Sequence, residues 1–169
     1  EGDITESSRI HCPGFHPFGG PGMFRCLGVH GSIDVRYAMQ VSCNTFFFEL
    51  MQRTDVDTYR KYGNAFGFGV RAPTDIGEQS AGLIPDSSYF NRMFPRGWTA
   101  GYSINFGIGQ GNMSVTPLQL ANFTAALANG GTLHPPHLVR ELVHAETGEV
   151  LRPRLPAPQP IDIDEHYFD

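Results

Sequence analysis

Three cysteines, Cys12, Cys26 and Cys43, and the histidine among them, His30, are the side chains of this sequence best suited to hold a metal. Thiolate and imidazole are the donors that zinc takes in closed tetrahedral sites, and three Cys with one His is a standard structural set. The spacing is not that of a zinc finger, since only Cys26 and His30 are close in the chain. An odd cysteine count is a poor disulfide framework. A Cys12 to Cys26 disulfide with Cys43 buried, or three unpaired thiols, would still account for the same residues. His11 and His16 are possible substitute ligands, whereas His134, His137, His144 and His166 are expected on the surface or in loops.

A second constellation is the triplet Ser42, Cys43, Asn44, inside the stretch HGSIDVRYAMQVSCNTFFFEL from His30 to Leu50. Asp34 is a good N-cap for a helix whose apolar face holds Val35, Ala38, Met39 and Val41, and a second apolar helix is predicted from Thr45 to Arg53. Ser and Asn compete with the backbone for hydrogen bonds, so the triplet marks a break between the two helices. It is either an ordinary cap or a polar group turned into a cleft.

The elements that must position these residues are uneven. Residues 1–31 are dominated by Gly, Pro, His and Cys, and are expected to form an irregular segment in need of a staple or a function. A third helix is predicted from Asp55, with Val56, Tyr59, Tyr62, Ala65 and Phe66 facing the core and Gly67 and Gly69 ending it. Residues 70–100, punctuated by Pro73, Gly77, Gly82, Pro85 and Pro95, read as loop, with Trp98 packed on the body. Thr116, Pro117 and Gln119 then approximate a capping box for a buried helix through Leu118, Leu120, Ala121, Phe123 and Leu127, stopped by Asn129, Gly130 and Gly131. Before it, Gly107, Gly109 and Gly111 permit close backbone approach; without a strand, helix and downstream acid in the right order they do not make a phosphate site. Residues 137–152 alternate about a Glu146-Thr147-Gly148 turn as a β-hairpin, and 161–169 resemble the start of a helix.

Length and composition set the outer limits. The 169 residues suffice for one domain or a piece of a larger one, and 40% hydrophobic content with 13 Phe argues for a folded chain. A net charge of -5 gives no basic footprint, so nucleic acid is not an expected partner. No stretch has the apolar length of a membrane span, and no signal-peptide pattern stands at the start. Opening on Glu1 suggests a piece of a longer protein.

The triplet SCN followed by an aromatic-rich helix, the block GIGQGNMSVTPLQLANFTAALANGG, the hairpin and the acidic helix start resemble, in that order, the transpeptidase domain of class B penicillin-binding proteins. The likeness is to the elongation type, penicillin-binding protein 2, and the Gly-Gln-Gly to Thr-Pro-Leu-Gln block is its most specific part. The resemblance implies an α+β fold, here the mainly helical part of a penicillin-binding protein or serine β-lactamase-like domain. Residues 1–31 would be its irregular segment, 32–131 its helical part, and 132–169 the hairpin and the start of the next helix.

The implied activity is serine acyl transfer that cross-links peptidoglycan stem peptides and is trapped by β-lactam antibiotics. Ser42 would relay a proton and Asn44 would donate its carboxamide to the substrate amide carbonyl. Some members of the family bind zinc beside this motif with ligands in places corresponding to Cys12, Cys26, His30 and Cys43. A membrane glycosyltransferase of the elongation machinery would be a partner, and the whole protein would sit on the periplasmic face of the inner membrane. The departures are large. The one lysine, Lys61, is preceded by Thr58, Tyr59 and Arg60 and followed by Tyr62 and Gly63, so neither Ser-x-x-Lys nor Lys-Thr-Gly is present. Both would fall just outside Glu1 and Asp169, and Ser7 and Ser8 have no lysine in register. By itself this chain is expected to be inactive. The alternatives are a non-catalytic zinc-stabilised interaction or β-lactam-sensing module on the same fold and, more weakly, a metallohydrolase.

Overall fold

The computed structural model describes residues 4–20, 22–75 and 77–168. Residues 1–3 and Pro21 of the segment read as irregular, Ile76, and Asp169 at the end of the expected last helix lie outside the described residues. The chain is α+β, five helices and three small antiparallel sheets among the described residues, and divides into two compact units. The first comprises residues 1–59 and 85–113, the second 60–84 and 114–169.

In the first unit, β1 (Ile10–Cys12) pairs antiparallel with β2 (Gly31–Ile33), Ile10 opposite Ile33 and Cys12 opposite Gly31. The period of two turns Ile10 and Cys12 inward and His11 outward. Part of the segment expected to be irregular is therefore ordered: the three residues before Pro13 keep their backbone N–H groups and join a ladder, and beyond them Phe15 bridges to Arg25. The helix α1 (Val35–Gln40) starts on Asp34, whose carboxylate accepts the Tyr37 N–H at 3.0 Å. Met39, expected on its apolar face, is exposed, because so short a helix buries only Ala38.

Next, α2 (Asn44–Arg53) buries Thr45, Phe46, Phe48 and Met51. Its partner is the 3-10 turn Ile104–Ile108, where Ile104 and Phe106 are buried. A Cβ at Gly107 would run into the Phe47 main-chain carbonyl and would lie 3.1 Å from Met51 Cβ. The glycine is what lets the turn lie against α2. Its neighbour Gly109 closes the turn in the left-handed region, at φ 70°.

A helix not expected in the 70–100 stretch, α4 (Ser87–Met93), completes this core after α3 (Val56–Ala65). Asp86 caps α4 by accepting the Tyr89 N–H at 2.7 Å. Pro85 and Pro95 read as loop signals, yet they lie outside the seven residues the helix needs. Phe90 stacks on Trp98, with ring centroids 4.8 Å apart, and on Phe106. Tyr59 donates its hydroxyl to the Phe106 carbonyl at 3.2 Å.

The second unit is built on α5 (Pro117–Ala128), whose capping box is complete. Gln119 is buried, accepts the Thr116 N–H at 2.9 Å and donates to the carbonyls of Val70 and Ala81 at 2.7 and 2.8 Å. The same side chain thus caps the helix and gathers two loop segments. The helix as a whole is less buried than its composition suggests: only Gln119 and Ala126 are inaccessible, and Leu120 and Leu127 are exposed. The strands β3 (Thr132–Leu133) and β6 (Gln159–Pro160) pair, and β4 (Leu142–Val143) and β5 (Val150–Leu151) form the hairpin, shorter than the 137–152 pattern. Instead of an α-helical start, the end holds one 3-10 turn, Glu165–Tyr167, capped by Asp164.

Gly107→Ala is expected to destabilise the protein by about 1–3 kcal/mol, because the methyl group meets main-chain atoms that cannot rotate away. Urea unfolding midpoints at unchanged slope would measure it; an unchanged midpoint would mean that α2 and the turn are not so closely packed.

Candidate functional site

The two constellations read from the sequence meet at the junction of α1 and α2. Cys12 ends β1, Cys26 and His30 lie in the loop before β2, and Cys43 sits between the helices; their donor atoms all lie within 4.8 Å of one another. His30 Nδ1 is 3.6 Å from Cys12 Sγ and 3.5 Å from Cys26 Sγ, and Cys26 Sγ is 3.7 Å from Cys43 Sγ. Zinc with bonds of about 2.3 Å to sulfur and 2.0–2.1 Å to nitrogen, at tetrahedral angles, requires edges of about 3.8 Å between sulfurs and about 3.5 Å from sulfur to nitrogen. The donor set and its spacing fit such an ion. The three cysteines are free, and 3.7 Å is far from the roughly 2.05 Å of a disulfide. An ion bound through Nδ1 would leave the His30 ring proton on Nε2.

The sulfurs differ electrostatically. Burial works to raise the Cys26 pKa, but the N–H groups of Thr45 and Gly28 and the neighbouring thiols outweigh it and pull the group down to about 6. Thr45 belongs to the first turn of α2, so a Cys26 thiolate stands where an anionic cap would. Burial pushes Cys43 up to about 12, with its two sulfur neighbours acting in the same direction.

Backbone geometry separates the three residues of the triplet. Among the described residues Ser42 is the non-glycine residue with positive φ, at 52°. It is the residue just past the α1 C-cap, Val41. The Cys43 N–H reaches back to the Ala38 carbonyl at 2.9 Å and the Ser42 N–H to the Met39 carbonyl at 3.3 Å, the paired bonds of a Schellman motif. That position ordinarily belongs to glycine, and a side chain there costs about 1–2 kcal/mol. Ser42 is exposed, Cys43 is buried with its sulfur in the four-donor cluster, and Asn44 Nδ2 donates to the Arg25 carbonyl at 3.1 Å. Asn44 also borders an open cleft of about 440 Å³ with Arg25, Asn105 and Gln110.

The other sequence candidates stay apart from this cluster. His11 faces outward, and His16 is buried with Nε2 bonded to Glu49 at 3.1 Å and Nδ1 accepting the Phe18 N–H at 3.3 Å. His16 is a core histidine, and no spacing in the sequence marked it as one. The hydroxyls of Ser7 and Ser8 lie against that of Thr5, and Lys61 lies over the Tyr62 ring. His134, His137, His144 and His166 are exposed. Sequence reasoning missed the Arg25 carbonyl, since a main-chain acceptor carries no residue signal.

The family model of the penicillin binding protein transpeptidase domain matches residues 1–165. The chain belongs to that family. A peptidoglycan D,D-transpeptidase, MrdA, of Salmonella typhimurium is 33% identical over 134 residues, 79% of this chain and 21% of that protein. The crystal structure of Pseudomonas aeruginosa PBP2 in complex with WCK 5153 superposes with a TM-score of 0.83 at 28% identity, covering 99% of this chain and 38% of that one. PBP2 of Helicobacter pylori, in a complex with MreC, gives 0.71 at 26% identity over 87% of this chain and 26% of that one. The chain spans about a fifth of the length of the curated relatives it matches. The α+β fold is that of the penicillin-binding protein transpeptidase domain.

Ser42→Gly relieves the left-handed penalty and adds about 0.5–1 kcal/mol of unfolded-chain entropy, so the net expectation is a gain of up to about 1 kcal/mol and a melting temperature a few degrees higher. Ser42→Val is expected to lower it. Calorimetry on the three proteins checks the order; a Gly variant less stable than the parent would contradict the strain at this residue.

Proposed function

We propose that this chain is the part of a penicillin-binding protein 2-type peptidoglycan D,D-transpeptidase that carries its second polar motif and a structural zinc. Residues 1–31, 32–131 and 132–169 are, in this reading, successive segments of one transpeptidase domain. The observation that carries the reading is the triplet itself: an exposed serine kept at a strained position, next to an asparagine on a cleft, both adjoining Cys43 of a four-donor cluster. Strain retained where glycine would relieve it points to a use for the hydroxyl.

The chemistry follows from these groups. The attacking serine belongs to a Ser-x-x-Lys motif that this sequence does not contain. Its oxygen bonds to the penultimate D-Ala carbonyl carbon of a stem peptide, the carbon–nitrogen bond breaks, and D-Ala leaves once its nitrogen has gained a proton. Ser42 can accept a proton and donate one, so it passes the proton to that nitrogen. An amine of a neighbouring strand then attacks the ester carbonyl carbon, the carbon–oxygen bond to the serine breaks, and the proton lost by the amine returns to the serine oxygen. In a β-lactam the broken bond lies within the ring and the leaving nitrogen stays attached, which traps the acyl-enzyme. Asn44 Nδ2 carries two protons; one goes to the Arg25 carbonyl and the other serves the amide carbonyl of peptide or antibiotic.

Cys12, Cys26, His30 and Cys43 would hold zinc, which would supply cross-linking and charge neutralisation for three sulfurs. The partners are stem peptides, β-lactams and a membrane glycosyltransferase, and the place is the periplasmic face of the inner membrane; no helix among the described residues is long and apolar enough to cross a membrane.

Two measurements test the reading. Metal analysis with native mass spectrometry should find one zinc per chain, lost in Cys43→Ser; a chain purified under reducing conditions with equimolar zinc that retains none would overturn the zinc assignment. In a protein that carries Ser-x-x-Lys and Lys-Thr-Gly together with this sequence, Ser42→Ala should slow acylation by a fluorescent penicillin by about 10²–10⁴-fold. Acylation at the parental rate would overturn the relay.

A further inference from the structure

Two residues that are neither cysteine nor histidine are tied to the metal cluster by one covalent step each. Arg25 precedes Cys26, Asn44 follows Cys43, and the two meet: Asn44 Nδ2 donates to the Arg25 carbonyl at 3.1 Å, while the sulfurs of Cys26 and Cys43 stand 3.7 Å apart. A closed ring results, running through the two sulfurs, the two peptide bonds and the carboxamide.

The direction of the Arg25 carbonyl is fixed independently of Asn44. The Cys26 N–H of the same peptide unit donates to the Gly14 carbonyl at 2.9 Å, and Arg25 bridges to Phe15. A trans peptide is planar, with its C=O and N–H pointing to opposite sides, so a bond from Cys26 to Gly14 aims the Arg25 oxygen the other way. That oxygen points at Asn44. The last torsion of an asparagine side chain is soft and roughly two-fold, so its carboxamide takes the orientation that its hydrogen bonds dictate.

We propose that Arg25 is a positioning residue: its main-chain carbonyl, anchored through Cys26 to the metal cluster, sets the plane of the Asn44 carboxamide and leaves the second Nδ2 proton facing the cleft. What that proton binds rests on the proposed transpeptidase function; the hydrogen bond and its dependence on the cluster do not. The metal cluster then acts on the polar motif through a main-chain group, and the Arg25 side chain is dispensable for it. Any change that widens the separation of the Cys26 and Cys43 sulfurs turns or frees the carboxamide, even while the helices persist.

Nuclear magnetic resonance on the labelled 169-residue chain tests this without any acylation assay. Loaded with zinc, the chain should show a scalar coupling across the hydrogen bond from Asn44 Nδ2 to the Arg25 carbonyl carbon, with at least about fivefold slower solvent exchange of the bonded proton than in the carboxamide of Asn122. Replacing zinc by cadmium, whose bonds to sulfur are longer, should move the Asn44 carboxamide resonances and leave those of Asn122 in place. Arg25→Ala should retain the coupling, and Cys12→Ser, at a donor adjacent to neither residue, should abolish it. If Cys12→Ser does not fold, the cadmium exchange decides. A zinc-loaded chain without the coupling, or an Asn44 signal indifferent to cadmium, would overturn the proposal. Failure of penicillin acylation in the longer protein would instead count against the transpeptidase reading and leave this result standing.

Discussion

Convergence of Cys12, Cys26, His30 and Cys43 is the constraint on which the rest of the first unit depends. Between β1 and β2 the described residues form no helix or strand, and such a stretch loses more conformational entropy on ordering than a few turn hydrogen bonds return. Here the order comes from a short ladder, a bridge at Phe15 and Arg25, the buried ring of His16 against Phe48, and the four donors. A tetrahedral ion across those donors would close loops that the backbone alone leaves open, and its binding free energy would become folding free energy. Cys43 makes this constraint matter for chemistry, since it belongs both to the cluster and to the hinge of α1 and α2.

The polar triplet shows how one backbone conformation separates three neighbouring side chains. The Schellman turn at Ser42 reverses the chain over a single residue and sends Ser42, Cys43 and Asn44 in different directions. Ser42 bears the strain, Cys43 anchors it, and Asn44 opens α2 with its carboxamide already engaged. The glycine block works from the other side, where Gly107 admits the 3-10 turn against α2 and brings Asn105 and Gln110 to the cleft that Asn44 borders.

Much of this was legible in the sequence where a single side chain decides the local structure. Asp34 and Thr116 cap the helices predicted for them, Gln119 closes the capping box, and Gly107 makes the close backbone approach expected of the glycine run. The cysteines and His30 were readable as a donor set because few other uses fit those residue types together. Illegible were features set by burial or by the main chain. Helix α4 was hidden by Pro85 and Pro95 although Asp86 signalled its start, and the apolar residues of α5 gave no hint that Leu120 and Leu127 would be exposed. The roles of the His16 ring and the Arg25 carbonyl are created by tertiary contacts alone.

X-ray absorption at the zinc edge of the metal-loaded chain probes the central constraint most directly. The account predicts one ordered shell of three sulfurs at about 2.3 Å and one nitrogen at about 2.0–2.1 Å. A shell with two or fewer sulfurs, or one filled by oxygen, would contradict it and detach the polar triplet from the cluster that is held to fix it.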